Sequence, residues 1–188
     1  MELTVDGRTV FATTGGTEFD PAKPAIVFLH GAGFDRTAWR LQTRWFAHHG
    51  RSVLAVDFPA HGRSDSPALD SIGAMADWTA RLIEAAGLKQ AALVGHSMGA
   101  LVALDCAARH SDKVRTLGLC GVASEMSVHP EMLESAKANT VKVQELMTFW
   151  GMGNALHKGG MVSPGLWLRR ESLAVLAGNE PGVIHTDL

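Results

Sequence analysis

Tyrosine is absent from this 188-residue sequence, and cysteine occurs only twice. Two cysteines in apolar segments, Cys106 and Cys120, do not make the disulfide framework of a secreted mini-domain, and both read as small buried hydrophobes. No sign of charge predominates: 17 basic residues stand against 19 acidic ones, a formal net charge of −2. No Lys/Arg cluster forms a stripe, which argues against nucleic acid and anionic membrane as partners. No apolar run approaches the ~20 residues that span a bilayer. The opening MELTVDGRTV alternates polar and apolar residues and lacks the apolar stretch of a signal peptide. A soluble, cytoplasmic protein is expected. Metal-ligand spacings are missing too: there is no HExxH and no CxxC, and His48 and His49 are adjacent, so they diverge on a helix. The nine histidines read as solvated or capping residues, and neither metal nor cofactor is expected.

What the sequence does have is a one-domain length and 46% hydrophobic residues, enough for an ordinary core. LTVDGRTVF reads as two short strands around the turn Asp6-Gly7. AIVFLH (25–30) and SVLAVD (52–57) are continuous apolar runs, the pattern of strands buried on both faces. Asp35 or Thr37 can cap a helix running to about Gly50, and Ser71 caps another ending at Gly87. AALVGH is a strand, 98–110 a nearly all-apolar helix, and VRTLGLCGV a sixth strand. Such alternation predicts an α/β fold: a mostly parallel sheet of about six strands with helices on both faces. After about Val122 the pattern turns helical. Pro130 opens one stretch, Val143, Leu146, Met147 and Trp150 recur at helical spacing, Gly151 and Gly153 stop it, and Ser163-Pro164-Gly165 begins another ending near Gly178. The expected division is a core over 1–122 and a helical lid over 123–188.

Gly95-His96-Ser97-Met98-Gly99 places G-x-S-x-G between an expected strand and an expected helix. A sharp strand-to-helix turn exposes the serine oxygen in a strained conformation, and glycines two residues to either side remove Cβ clashes. The new helix begins there, so its free N–H groups and positive dipole end face any negative charge that forms.

With FLHGAGFDRTAW (28–39) and VDFPAHGRSDSP (56–67), the stretch LVGHSMGA (93–100) resembles the α/β-hydrolase family, in the family's order and over most of residues 1–125. The resemblance implies Ser97 as nucleophile. It implies an oxyanion hole made by the backbone N–H of Ala32, after His-Gly, and that of Met98, after the nucleophile. Asp57, Gly62 and Ser64 are expected to shape their loop by turn hydrogen bonds, and His61 reads as a solvated loop histidine.

The family's order continues with an acid and then a histidine, each following a strand beyond the lid. Six strands are expected here where the family has eight, a difference of roughly 60–80 residues. Glu125 follows the sixth strand, where some relatives place the acid; it also fits an exposed loop glutamate. Of the histidines after Ser97, His110 ends a helix, His129 precedes Pro130, His157 lies in a Gly-rich loop, and His185 has no strand to position it. His96, beside the serine, points elsewhere. The expectation is therefore a C-terminally truncated serine hydrolase, with nucleophile and oxyanion hole but without the core part that carries acid and base, and inactive on its own account. Its sixth strand would be an open sheet edge able to self-associate.

The serine excludes branches that use an aspartate nucleophile, and the lack of tyrosine excludes epoxide hydrolases, which use lid tyrosines. Proline iminopeptidase-like members carry a Gly-Gly-Pro oxyanion loop that HGAG lacks. Hydrolysis of a small, largely apolar ester or related acyl or C–C substrate remains, with Met126, Met147 and Trp150 as candidate pocket residues beside Met132, Phe149, Met152 and Trp167; all of these are equally lid core. The rivals are a dinucleotide-binding oxidoreductase, in which HGAGFDR and Asp57 mimic the Gly-x-Gly…Asp fingerprint, and a non-catalytic binding protein of the same fold. Arg36 stands where the third glycine of that fingerprint belongs.

Overall fold

Asp6 and Gly7 both take positive φ, 52° and 76°, and this left-handed pair folds β1 (Glu2–Val5) back on β2 (Arg8–Thr13) as a two-residue hairpin. A computed structural model describes residues 1–151 and 168–188 of the chain. In it β3 (Ala25–Leu29) and β4 (Ser52–Val56) are buried at every position, as their unbroken apolar runs require. β5 (Ala91–His96) and β6 (Val114–Cys120) complete a six-stranded sheet in the order β1-β2-β4-β3-β5-β6. β3, β4, β5 and β6 run parallel, and the hairpin joins antiparallel through β2.

The helices cover both faces. Alternate residues of β3 divide the core: Ile26 and Phe28 pack with Trp39 and Val53 beside α1 (Arg40–His48), while Val27 and Leu29 pack with the other cluster. That second cluster holds Met75, Trp78, Leu82 and Ile83 of α2 (Ile72–Ala85), and Val102 and Cys106 of α3 (Met98–Arg109). Ser71 caps α2, its Oγ accepting from the Ala74 N–H at 3.2 Å. Asp35 caps a short 3₁₀ turn, Arg36–Trp39, that leads into α1.

The chain runs from β3 outward to β4, then crosses back over β3 to β5. The strand order therefore reverses between β3 and β5, and the crevice beyond their carboxyl ends is where open α/β sheets bind ligands. Four further helices gather there: α4 (Pro130–Lys137), α5 (Val141–Gly151), α6 (Leu168–Ala177) and α7 (Val183–Asp187). They share a small core of Ala136, Val143, Leu176 and Ile184. As expected, Pro130 is the first residue of α4, and the His129 side chain caps it. The Ser163-Pro164-Gly165 start and Gly153 lie outside the described residues.

β6 has no strand on its outer side among the described residues, and much of it is exposed, including Leu119. This corrects one expectation: Cys106 is buried in α3, but Cys120, at the end of the edge strand, is exposed. Its apolar neighbours in sequence do not bury it, because nothing among the described residues covers that edge.

Candidate active site

β5 ends at His96 and α3 starts at Met98, so Ser97 alone makes the turn between them. Its φ of 53° and ψ of −119° crowd a side chain against the backbone, a conformation that costs about 1–3 kcal/mol. The flanking glycines are what let the backbone close so tightly. A Cβ on Gly95 would be driven into the Gly99 carbonyl, and one on Gly99 into the carbonyls of Leu29 and His30. From outside, the Ser97 N–H donates to the Cys120 carbonyl at 2.9 Å and ties the bend to β6. Ser97 Oγ makes no hydrogen bond among the described residues.

The loop after β3 lies directly against this bend. A Cβ on Gly31 would sit 3.3 Å from Ser97 Cβ and 3.0 Å from His96 Nδ1. The Phe34 N–H closes the loop onto the Gly31 carbonyl at 3.1 Å. Ala32, at the crest, is nearly buried, and its N–H has no acceptor among the described residues. Nor does the N–H of Met98, which as the first residue of α3 has no intrahelical partner. Among the described residues, an unbonded hydroxyl on a strained bend and an unengaged amide at a helix start thus lie against the loop that carries the unengaged Ala32 amide.

Behind the loop lies a layer of buried polar groups. Asp57 follows β4 and is fully buried. It accepts from Arg36 N–H at 2.8 Å, Arg36 Nη1 at 2.6 Å and Arg63 N–H at 3.0 Å. Burial pushes its carboxyl pKa up, and those amides and the guanidinium pull against that rise. Ser64 Oγ donates to the Asp57 carbonyl and accepts from Phe11 N–H, and a Cβ on Gly62 would clash with the Asp57 carboxylate. Asp57, Gly62 and Ser64 thus shape their loop as expected. An Asp57 so enclosed is not free to meet a ribose, which removes the key contact of the dinucleotide reading.

Two histidines correct the expectation of solvated or capping residues. His30 is completely buried; its Nδ1–H donates to the Gly31 carbonyl at 2.9 Å and its Nε2 accepts from Phe58 N–H at 3.1 Å. Burial first, and the neighbouring His61 second, lower its pKa to about 3, so it is neutral. His61 is buried as well, its ring 4.9 Å from that of His30, and its Nε2 lies 2.8 Å from Asp187 Oδ2. Sequence reasoning missed this pair because the partner stands 126 positions away. The apolar Phe58-Pro59-Ala60 before His61 was the one local sign of burial.

The remaining residues singled out in the sequence are scattered. Glu125 is exposed and accepts from Ser127 Oγ at 3.2 Å, with no bond to Ser97. Met126 is exposed, Trp150 is exposed with its ring against His129, and Met147 packs between the main core and the helical core. His110 ends α3 with its Nε2 2.7 Å from Asp77 Oδ1, and His185 is exposed on α7. Met152, His157 and Trp167 lie outside the described residues. A pocket of about 300 Å³ opens between Phe34 of the loop and Ala174, Val175 and Asn179 of α6 and its end; Ser97 does not line it.

The Alpha/beta hydrolase family model matches residues 26–185. The chain is 26% identical over 155 residues to an (E)-2-((N-methylformamido)methylene)succinate hydrolase of Acinetobacter baylyi, covering 79% of this chain and 59% of that protein. It is 43% identical over 101 residues to a pimeloyl-[acyl-carrier protein] methyl ester esterase of Chromobacterium violaceum, covering 51% of this chain and 36% of that one. Among solved structures, the enol-lactonase of Burkholderia xenovorans superposes with a TM-score of 0.80 at 19% identity, over 99% of this chain and 71% of that one. The chain thus spans about six tenths or less of the length of these two curated relatives.

Proposed function

The chain belongs to the α/β-hydrolase family, and from that premise we propose that Ser97 is the nucleophile of a serine hydrolase acting on small, largely apolar carboxylic esters. Ser97 Oγ attacks the ester carbonyl carbon and gives its proton to a base. The carbonyl oxygen, now negative, is held by the Ala32 and Met98 amides. The alcohol leaves with a proton, and water then releases the acid from the acyl-enzyme. The observation that carries this reading is the unbonded hydroxyl on a strained bend beside two unengaged amides. The resemblance to a methyl ester esterase favours an ester over the other acyl substrates.

The base is a separate matter. His30 and His61 have both ring nitrogens engaged, and no described histidine bonds the Ser97 hydroxyl. A serine without its base is a weak nucleophile, and the loss of a triad member typically leaves only ~10³–10⁴-fold acceleration over water. The 188-residue chain is therefore expected to react with a fluorophosphonate slowly but at a single site. Intact-mass analysis should give one adduct in the wild type and none in Ser97→Ala. Labelling that persists in Ser97→Ala refutes the proposal.

A further inference from the structure

The loop that carries Ala32 is pinned from both sides by residues far along the chain. Gly33, at a φ of +67°, donates its N–H to Asp187 Oδ2 at 2.7 Å, and its carbonyl accepts from Asn179 Nδ2 at 2.7 Å. With Gly33 turned toward Asp187, the preceding Ala32 N–H has no acceptor among the described residues. Asp187 Oδ2 also meets His61 Nε2 at 2.8 Å, and neither side chain is exposed.

The protons on this pair follow from its partners. His61 Nδ1 lies 3.0 Å from the Pro59 carbonyl, which only accepts, so Nδ1 carries a hydrogen. Nε2 faces a carboxylate oxygen, so a second hydrogen lies between them. That oxygen accepts from Gly33 N–H as well, and with a hydrogen on each ring nitrogen His61 is an imidazolium. Among the described residues, Asp187 Oδ1 is buried with no partner, so His61 and Gly33 are what this carboxylate meets there.

We propose that His61 and Asp187 are positioning residues for the oxyanion loop: a buried imidazolium–carboxylate pair that fixes Gly33 and thereby presents the Ala32 amide to the substrate oxygen. This inference rests on the reading of Ala32 as an oxyanion donor. The other titratable groups around His61 are accounted for. His30 is neutral, and Asp57 is already satisfied by Arg36 and Arg63. Burial draws the His61 pKa down, but the hydrogen bond and charge of Asp187 outweigh it and the net shift is upward. As pH rises through that raised value, His61 loses its Nε2 proton to solvent. The carboxylate is then buried without a counter-charge, and Gly33 is released.

The test reads the loop and the nucleophile separately. Amide hydrogen exchange of Ala32, Gly33 and Phe34, corrected for intrinsic rates, is followed from pH 6 to 10 in the full chain and in Asp187→Asn and His61→Gln. Fluorophosphonate labelling of Ser97 is measured alongside. Asparagine keeps an oxygen acceptor for Gly33, removes the charge and places an NH2 where the unpartnered Oδ1 stands. The expected result is at least tenfold faster exchange of Gly33 in both variants, with labelling slowed by about a hundredfold through its rate at saturation rather than its half-saturating concentration. In the wild type, Gly33 protection should fall on the alkaline side only. If a variant fails to fold, this wild-type pH profile decides. Gly33 protection that ignores pH, or that ignores both folded variants, overturns the clamp. If the loop responds as expected but Ser97 takes no label in any form, the clamp stands and the nucleophile reading fails.

Discussion

Replacing Ser97 by glycine should make the protein more stable while abolishing its reactivity. At φ 53° and ψ −119° a residue with a Cβ stores about 1–3 kcal/mol of backbone strain, and glycine adopts the same angles without it. Against that stands the larger conformational freedom of glycine in the unfolded chain, about 0.5–1 kcal/mol. Few other terms intervene. The side chain is half-buried, and its hydroxyl has no bond to lose among the described residues. The net gain is about 0–2.5 kcal/mol, which for a chain of this size raises Tm by up to about 10 °C. Ser97→Ala is the control, because it removes the hydroxyl but keeps the Cβ and so the strain. Calorimetry or denaturant unfolding of the three proteins gives the comparison. A Ser97→Gly protein no more stable than Ser97→Ala would mean that the bend stores no strain, and the argument for a backbone shaped around the hydroxyl would fail with it.

The remaining expectations concern the elbow's support, pH and the sheet edge. Gly95→Ala forces a Cβ onto the Gly99 carbonyl, a backbone atom that cannot swing away, so a loss of at least about 1–3 kcal/mol is expected; an unchanged Tm refutes the close approach. His30 titrates near 6.5 in the unfolded chain but only near 3 when folded, so the unfolded state binds the extra proton between those values. Stability should fall as pH drops through that window, by up to about 1.4 kcal/mol per pH unit from this group, and histidine NMR shifts should show His30 neutral at pH 5. His61, with its raised folded value, acts in the opposite sense: its contribution is present below about 6.5 and is lost as pH climbs above that. Finally, the unpaired β6 edge with Leu119 exposed is proposed to self-associate, and Leu119→Lys should lower the sedimentation-derived association constant at least tenfold.

The bend at Ser97 was legible because everything that makes it falls within five residues: two glycines, the serine, and the switch from a strand pattern to a helix pattern. The sheet was legible for a similar reason, since continuous runs such as Ala25–Leu29 and Ser52–Val56 leave little choice but burial on both faces. The order of the strands rested on the family resemblance and not on periodicity. What could not be read were contacts between groups far apart in the chain. Nothing beside His61 announces Asp187, and the edge position of the strand that ends in Cys120, with no further strand beside it among the described residues, was expected from the resemblance and not from its neighbours in sequence. Local sequence states which groups a residue could satisfy; only the assembled fold states which groups reach it. The helical region was legible as helix, but not as a small core of Ala136, Val143, Leu176 and Ile184.

The bond from Gly33 to Asp187 also bears on how the molecule is made. Its two ends are 154 residues apart, so a ribosome adding about 5–20 residues per second needs about 8–30 s to synthesise the second after the first. Throughout that interval the nascent chain already holds Ser97 or is about to, while the loop opposite it has no anchor. On the proposed clamp, Gly33 and the Ala32 amide beside it are fixed only once Asp187 has been made.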